Sequence, residues 1–284
     1  MIDAHQHFWR LDRGDYRWLT PALGAIHRDF MPEDLEPSLA DTGIARTILV
    51  QATDTDGETE FLLGLAAETP FVAGVVGWVD LESRRSPARI RELARRPDFV
   101  GVRPMIQDLE DPEWMLRSDL EAALEVLVEL DLAFEALVRP IHLPHLRAFL
   151  DRHPGLSVVI DHAAKPVVAS RVRPWSGFTS WREHMEGIAR DSSACCKLSG
   201  LATEAESGWT AADLRPYVDV LLESFGPRRL VWGSDWPVVL LAGGYRRWWE
   251  ATAALLGDLP REDRLAVLGE NAAGLYGLTE RDIG

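Results

Sequence analysis

Two histidines near the start of the chain, His5 and His7, are separated by one residue and follow the short segment Ile2-Asp3-Ala4. Side chains two residues apart in an extended strand point to the same face, so both imidazoles can reach one metal ion or one substrate oxyanion. A His-x-His pair also occurs where one histidine caps a loop and the other packs. The spacing alone does not choose between these interpretations.

Two further polar residues follow apolar runs that are typical of buried strands. His162 comes after Val158-Val159-Ile160, and Asp235 comes after Leu230-Val231-Trp232. Three imidazoles and one carboxylate that converge form an N,N,N,O ligand set suited to a single zinc or manganese ion. Asp235 is also a candidate general base toward a bound water, and the histidines, His162 among them, are candidate donors to a developing oxyanion. The alternative for Asp235 is a helix N-cap ahead of Trp236-Pro237.

The elements that must position these residues alternate regularly along the chain. Eight β-rich apolar runs separated by amphipathic segments over 284 residues predict a closed (β/α)₈ barrel, a single domain over residues 1–284, with an open doubly wound sheet as the alternative. Functional side chains of such barrels lie at the carboxyl ends of the strands. The predicted strands are Ile2 to Ala4, Thr47 to Val50, Val72 to Val79, Phe99 to Arg103, Leu132 to Val138, Leu156 to Ile160, Ala194 to Leu198 and Arg229 to Trp232.

Helix start and stop signals occupy most of the intervals between these strands. The stretch Arg10 to Asp29, between the first strand and its helix, is rich in Asp, Arg and aromatic residues and is a predicted lid. The predicted helices are Pro32 to Gly43, one opening at Ser86-Pro87, Ser118 to Leu130, Pro144 to Arg152, Thr179 to Ala189, Thr210 to Phe225, Tyr245 to Leu256 and Pro260 to Leu268.

Two cations end predicted strands and are candidates for substrate binding, Arg103 after the fourth strand and Lys197 in the seventh. Their charged groups can bind a carbonyl, a hydroxyl or a carboxylate, which makes Arg103 a candidate catalytic residue as well. Glu135, in the fifth strand, is a third candidate for substrate binding. The alternative for both cations is an ion pair with Glu135 or with another acid inside the barrel mouth.

Other residues at strand ends are candidates for contacts to a small polar substrate. Gln51 can hydrogen-bond a hydroxyl group, or it can satisfy a loop backbone. The sequence contains 11 tryptophans, and the aromatic faces of Trp78 and Trp236 offer apolar contact to the C–H groups of such a substrate. Lys165, in Ala164-Lys165-Pro166, is interpreted as a solvated loop charge.

Composition excludes several classes of function. The chain has 30 Lys and Arg against 45 Asp and Glu, and this net charge of −15 argues against a nucleic-acid partner. No apolar run approaches the length of a membrane-spanning helix, which is about 20 residues, and the N-terminus lacks a secretory pattern. The adjacent Cys195 and Cys196 are a poor pair for a disulfide, so we expect a cytoplasmic location. A homo-oligomer is compatible with the sequence.

Four motifs together resemble the amidohydrolase superfamily, and within it the sugar-lactonase branch. The resemblance covers essentially the whole chain and implies a (β/α)₈ barrel in which water attacks a lactone carbonyl. By motif match, the metal-site positions of the superfamily fall on His5, His7, His162 and Asp235. The motifs are Asp3 to Trp9, Val158 to Pro166, Gly233 to Pro237 and Glu270 to Gly277.

The chain also departs from the pattern of the superfamily at two strands. Gly101-Val102-Arg103-Pro104 stands where binuclear members carry a modified lysine, so at most one metal ion is expected. Glu135 stands where many relatives have a histidine. The expected cofactor is one zinc or manganese ion, with a metal-independent mechanism as the alternative.

The expected function is hydrolysis of an aldonolactone, such as L-fucono- or L-rhamnonolactone, to the sugar acid. The first alternative is a metal-dependent decarboxylase or a hydrolase of aromatic pyrone lactones on the same barrel. Those substrates carry carboxylates and favour several arginines at the mouth, where Arg103 is the strong candidate. The second alternative, from another class, is a non-catalytic sugar-binding barrel.

Overall fold

Eight parallel strands form one sheet in sequential order in a computed structural model that describes residues 1–168 and 175–279. The predicted (β/α)₈ barrel is confirmed, and a doubly wound sheet is excluded because neighbours in the sheet are also neighbours in the chain. The strands are β1 (Ile2–Gln6), β2 (Arg46–Val50), β3 (Val72–Gly77), β4 (Phe99–Val102), β5 (Ala133–Ala136), β6 (Val158–Ile160), β7 (Cys195–Leu198) and β8 (Leu230–Trp232). The helices are α1 (Pro32–Thr42), α2 (Asp56–Glu68), α3 (Ser86–Leu93), α4 (Glu121–Glu129), α5 (Leu143–Arg152), α6 (Phe178–Asp191), α7 (Ala211–Phe225), α8 (Tyr245–Leu255), α9 (Arg261–Leu265) and α10 (Asn271–Leu275).

The barrel closes between β1 and the segment that follows β8. The His7 amide donates to the Trp236 carbonyl at 2.7 Å, and the Asp235 amide donates to the His5 carbonyl at 2.8 Å. The buried Asp3 carboxylate accepts from the Ser234 amide at 2.8 Å, across 231 positions of sequence. Closure therefore places the first and last strand ends side by side.

The hydrophobic core has two layers because successive strand residues face opposite sides of the sheet. In β2, Ile48 and Val50 belong to a cluster inside the barrel, whereas Leu49 packs in the outer layer against the helices. Helix α10 and the residues after it add Ala272 and Tyr276 to the inner cluster. The barrel interior is thus a packed core rather than a channel.

Two helical regions differ from the predictions. Helix α2 was not predicted, although Thr55 and Glu58 have the spacing of a capping box, and the Thr55 hydroxyl accepts from the Glu58 amide at 3.0 Å. The predicted helix from Pro260 to Leu268 is interrupted, because α9 is followed by a π-helical turn, Ala266–Glu270, in which Gly269 is extended.

Residues 10–29 lie over the loop after β2. The Tyr16 hydroxyl donates to Glu58 at 2.6 Å, and the Trp18 indole donates to the Ala52 carbonyl at 2.7 Å. These bonds anchor the segment, and its role as a lid stays a prediction. In the described part of the chain, no helix has both the length and the apolar character needed to cross a bilayer.

Candidate active site

The carboxyl ends of β1, β6 and β8 bring together the four residues predicted to form the cluster. Asp235 Oδ1 lies 3.4 Å from His7 Nε2, 3.7 Å from His5 Nε2 and 4.0 Å from His162 Nε2. His5, His7 and Asp235 offer ligand atoms that all lie within 4.8 Å of one another. All four side chains are buried. We refer to His5, His7, His162 and Asp235 as the cluster.

Hydrogen bonds on the far side of each ring determine what the imidazoles present to the cluster. His7 Nδ1 lies 2.7 Å from the Val50 carbonyl, which can only accept, so Nδ1 carries the proton and Nε2 presents a lone pair. His5 Nδ1 lies 3.0 Å from the Lys197 ammonium and 3.6 Å from Asp161 Oδ1. The Lys197 ammonium can only donate, which favours a proton on His5 Nε2. The Asp161 carboxylate can accept, which favours a proton on His5 Nδ1.

Burial makes the imidazoles neutral at neutral pH. It lowers the pKa of His162 to about 4, and it also lowers the pKa values of His5 and His7. Burial opposes ionisation of Asp235. At the low pH where this carboxyl would take up a proton, however, His162 and His7 are themselves protonated, and the charge of His162 and a hydrogen bond from His7 hold the Asp235 pKa well below its usual range. The cluster thus consists of a carboxylate facing neutral nitrogen ligands.

An unusual backbone turn positions His162. Residues His162, Ala163, Ala164 and Lys165 all have left-handed backbone angles, with φ of 50°, 51°, 61° and 50°. This conformation costs non-glycine residues roughly 1–2 kcal/mol each, so contacts with the surrounding structure must stabilise the turn. Gly200 lies against the turn, and a Cβ at Gly200 would lie only 2.6 Å from His162 Cγ. The His162 ring therefore occupies space that only glycine leaves free.

Two hydrogen bonds join Arg103 and Gln51 beside the cluster. The Gln51 amide donates to the Arg103 carbonyl at 2.6 Å, and the Arg103 guanidinium donates to the Gln51 carbonyl. Arg103 Nη1 also lies 3.2 Å from Asp161 Oδ2 and 3.4 Å from His5 Nε2. Arg103 lines the cavity, and its role toward a substrate stays a prediction. The fully buried Gln51 side chain instead donates to backbone.

Lys197 and Glu135 lie below the cluster rather than in the cavity wall. Both are fully buried, and Lys197 Nζ lies 2.6 Å from Glu135 Oε1 and 3.2 Å from Asp161 Oδ1. The Tyr276 hydroxyl donates to the same Glu135 oxygen at 2.5 Å. This arrangement matches the ion-pair alternative. A substrate would contact Lys197 or Glu135 directly only if that residue became exposed.

Asp161 was not singled out from the sequence, yet it contacts His5, Arg103 and Lys197. Burial opposes its ionisation, but the Lys197 ammonium holds the pKa of Asp161 well below its usual range. Its position directly before His162 at a strand end was the available signal. Asp161 is therefore a charged support for the cluster.

The positions of Trp78 and Trp236, the two tryptophans predicted to contact a substrate, differ from that prediction. Trp236 is 3% exposed, and its ring packs edge-on against Phe8 and Phe30, with centroid separations of 5.9 and 5.2 Å. Trp78 is half-buried, and neither Trp236 nor Trp78 is among the described residues that line the cavity. Trp18, from the predicted lid, does line it.

A cavity of about 370 Å³ opens above the cluster. Its floor contains His7, Arg103, His162 and Asp235. Lys165, which the sequence suggested to be a solvated loop charge, also lines it. The wall combines polar and apolar side chains, which are Trp18, Leu23, Ala52, Met105, Gln107, Asp108, Leu137, Arg139, Lys165, Val238 and Leu241.

Fold and site together define a class of protein, a (β/α)₈ barrel with a buried histidine and carboxylate cluster at the carboxyl ends of its strands. The sequence profile of the Amidohydrolase family matches residues 2–278. The chain belongs to this family, which confirms the resemblance seen in the motifs.

Close relatives cover almost the whole chain. An L-fucono-1,5-lactonase of Burkholderia ambifaria is 47% identical over 279 residues, which are 97% of this chain and 94% of the relative. An L-fucono-1,5-lactonase of Burkholderia multivorans is 37% identical and covers 98% of this chain and 96% of its own length. A crystal structure of an amidohydrolase from Burkholderia multivorans with bound zinc superposes with a TM-score of 0.91 at 36% identity, over 98% of this chain and 99% of that chain.

Proposed function

We propose that this protein hydrolyses a sugar lactone, L-fucono-1,5-lactone or a close analogue, to the sugar acid. The observation that carries the proposal is the Asp235 carboxylate, which faces three neutral imidazoles at the floor of the cavity. The names of the relatives that are 47% and 37% identical support this substrate class.

Asp235 supplies the proton transfers that lactone opening needs. As a carboxylate it accepts a proton from water while the water oxygen bonds to the lactone carbonyl carbon. When the bond from that carbon to the ring oxygen breaks, Asp235 returns the proton to the ring oxygen. One group thus serves as base and then as acid, because the attacking water oxygen and the departing ring oxygen are bonded to the same carbonyl carbon.

The cluster fits one divalent metal ion. His7 presents a nitrogen lone pair, Asp235 a carboxylate oxygen, and His5 becomes a ligand when its Nδ1 proton faces Asp161. The zinc in the related Burkholderia structure supports zinc, and manganese accepts the same donor types. When bound, such an ion lowers the pKa of a water and polarises the carbonyl. In the metal-independent alternative His5 keeps the other tautomer, whose Nε2 hydrogen faces His7 Nε2 at 3.2 Å. His162, which lines the cavity, is then the imidazole that donates to the carbonyl oxygen.

The cavity wall is suited to a deoxy sugar. Gln107, Asp108 and Arg139 offer hydrogen bonds to hydroxyl groups, whereas Trp18 and Leu241 offer apolar contact to ring C–H groups or a methyl group. The wall is also consistent with a substrate that carries no charge of its own. A neutral lactone needs no electrostatic attraction to an acidic surface.

The alternative functions find less support. A decarboxylase or pyrone lactone hydrolase binds substrates with carboxylate groups. Two arginines line the cavity within residues 1–168 and 175–279, and both are paired, Arg103 with Asp161 and Arg139 with Asp108. A non-catalytic sugar-binding protein would not require a carboxylate aligned with three imidazoles.

The direct test follows acid release when the purified protein meets L-fucono-, L-rhamnono- and galactonolactones in a pH-indicator assay. We expect fastest hydrolysis of L-fucono-1,5-lactone, and no hydrolysis across the panel would refute the proposal. Metal content measured before and after chelation, together with the rate, separates the two mechanisms. Retained activity in the metal-free protein would favour the metal-independent route.

A further inference from the structure

Lysine is rare in this chain and is confined to the candidate active site. The sequence contains 30 basic residues, of which only Lys165 and Lys197 are lysines. Lys197 is buried beneath His5, and Lys165 lines the cavity. Arginine thus supplies the positive charge everywhere else. A compact ammonium can approach a single oxygen atom more freely than the planar guanidinium, which prefers paired contacts.

Among the cations that line the cavity in the described part of the chain, Lys165 is the one whose charge has no close partner. Arg103 Nη1 lies 3.2 Å from Asp161 Oδ2, and Arg139 Nη2 lies 3.8 Å from Asp108 Oδ1. Within residues 1–168 and 175–279, the half-buried Lys165 ammonium forms no ion pair with a carboxylate. Glu204 interacts with it at longer range, and burial raises the pKa of the Glu204 carboxyl.

The left-handed turn fixes Lys165 relative to His162. The Lys165 amide donates to the His162 carbonyl at 2.8 Å, which closes the turn. The Trp181 indole of α6 donates to the Ala163 carbonyl at 2.8 Å and holds the turn from outside. Both His162 and Lys165 line the cavity from this one turn. The position of the ammonium therefore follows from the same backbone that places the imidazole.

We propose that Lys165 binds the carbonyl oxygen of the lactone and stabilises the negative charge that develops on it. This inference rests on the proposed lactone hydrolysis. When the water oxygen bonds to the carbonyl carbon, the π electrons move to the carbonyl oxygen, and they return when the bond to the ring oxygen breaks. The new carboxylic acid then loses its proton to solvent. The same oxygen carries negative charge in the intermediate and in the product, so one cation serves both states.

The test compares Lys165→Met, which keeps most of the length of the side chain without its charge, with Lys165→Arg, which keeps the charge. We expect the kcat/KM for lactone hydrolysis to fall about 100-fold in Lys165→Met, the size of effect seen when one oxyanion donor is removed. Lys165→Arg should recover part of the rate. Arg246→Met, which removes an exposed charge on α8, is the matched control and should keep the wild-type rate.

A binding experiment decides the inference independently of turnover. Calorimetry with L-fuconate should show at least about tenfold weaker binding to Lys165→Met than to wild type, whereas the neutral alditol L-fucitol should bind both equally. Loss of affinity for both ligands would indicate a structural role and overturn the inference. Equal fuconate affinity in both proteins, or no binding to either, would also overturn it.

Failure of the proposed function is distinguishable from failure of this inference. A wild-type protein that hydrolyses no lactone contradicts the proposed function, and the fuconate titration then still decides whether Lys165 binds the carboxylate of a sugar acid. A wild-type protein that hydrolyses lactones while Lys165→Met keeps the same kcat/KM contradicts the role of Lys165 alone. Circular dichroism and thermal melting confirm that each variant is folded.

Discussion

The ammonium nitrogen of Lys197 lies 3.0 Å from Nδ1 of His5, in a region that solvent does not reach. An ammonium can only donate, so this contact favours the His5 tautomer that carries its proton on Nε2. The Nε2 hydrogen then faces His7 Nε2 at 3.2 Å. A metal ion that binds His5 Nε2 must displace this proton, and Asp161 is the acceptor that makes the other tautomer available.

Lys197→Met should destabilise the protein strongly. The substitution leaves the Glu135 and Asp161 carboxylates buried without the cation they share, and breaking a buried pair in this way costs about 3–5 kcal/mol. The free energy of unfolding in urea measures the loss. Arg91→Met, which breaks the exposed pair with Glu129, is the control and should cost far less. Similar losses in both variants would contradict a stabilising role for Lys197.

Asp235→Asn should fold like the wild type and lose activity. The amide keeps the shape of the side chain but cannot accept a proton, and general acid–base groups contribute roughly 100- to 10,000-fold. Steady-state kinetics with L-fucono-1,5-lactone should show the loss mainly in kcat. A variant with near wild-type kcat would remove Asp235 as the base.

Gly200→Ala should reduce activity more than Gly208→Ala. Both glycines have positive φ, 67° and 86°, so both alanines pay a similar backbone cost. Only the methyl group at position 200 would meet His162, at 2.6 Å from Cγ, whereas no atom lies within 4 Å of a Cβ at position 208. We expect about a 100-fold lower kcat/KM for Gly200→Ala, because displaced catalytic groups lose alignment. Equal kinetics would show that His162 tolerates the shift.

Glu58 should make stability depend on pH. Burial raises its pKa from 4.5 to about 7, against hydrogen bonds from Tyr16 and the Ala52 amide and the charge of Arg13. The folded chain therefore holds this proton more tightly than the unfolded chain, so the contribution of Glu58 to stability falls as pH rises from about 4.5 to 7.

Melting temperatures between pH 4 and 8 test this expectation in Glu58→Gln, which stays neutral. The melting temperature of the variant should rise relative to that of the wild type as pH increases from about 4.5 to 7. Above pH 7 the difference between the two melting temperatures should stay constant. Glu125→Gln, at an exposed position on α4, should melt in parallel with the wild type. Parallel curves for Glu58→Gln would contradict the raised pKa.

Trp18→Ala should raise the KM for the lactone about tenfold while the protein stays folded. Trp18 lines the cavity and is 37% exposed, so little core packing is lost. Trp236→Ala should instead lower the melting temperature, since that ring is buried between Phe8 and Phe30. An unchanged KM in Trp18→Ala would exclude Trp18 from the substrate wall.

The sequence by itself determined the barrel and the identity of the cluster. Apolar runs such as Val158 to Ile160 form strands because of local β propensity and burial, and polar residues that end them are carried to one edge of the barrel. This rule alone places His5, His7, His162 and Asp235 at the same edge of the barrel.

Only the tertiary structure decided which of the other strand-end residues face the cavity. Lys197 and Glu135 lie below His5, Trp236 turns into the aromatic core, and Lys165 reaches the cavity on a left-handed turn that leaves no sequence signal among non-glycine residues. Strand-end position fixes the layer of the barrel in which a residue lies, but not the direction of its side chain. That direction depends on packing and ion pairs between residues far apart in the chain, such as Lys197 and His5, and becomes defined only when the barrel closes.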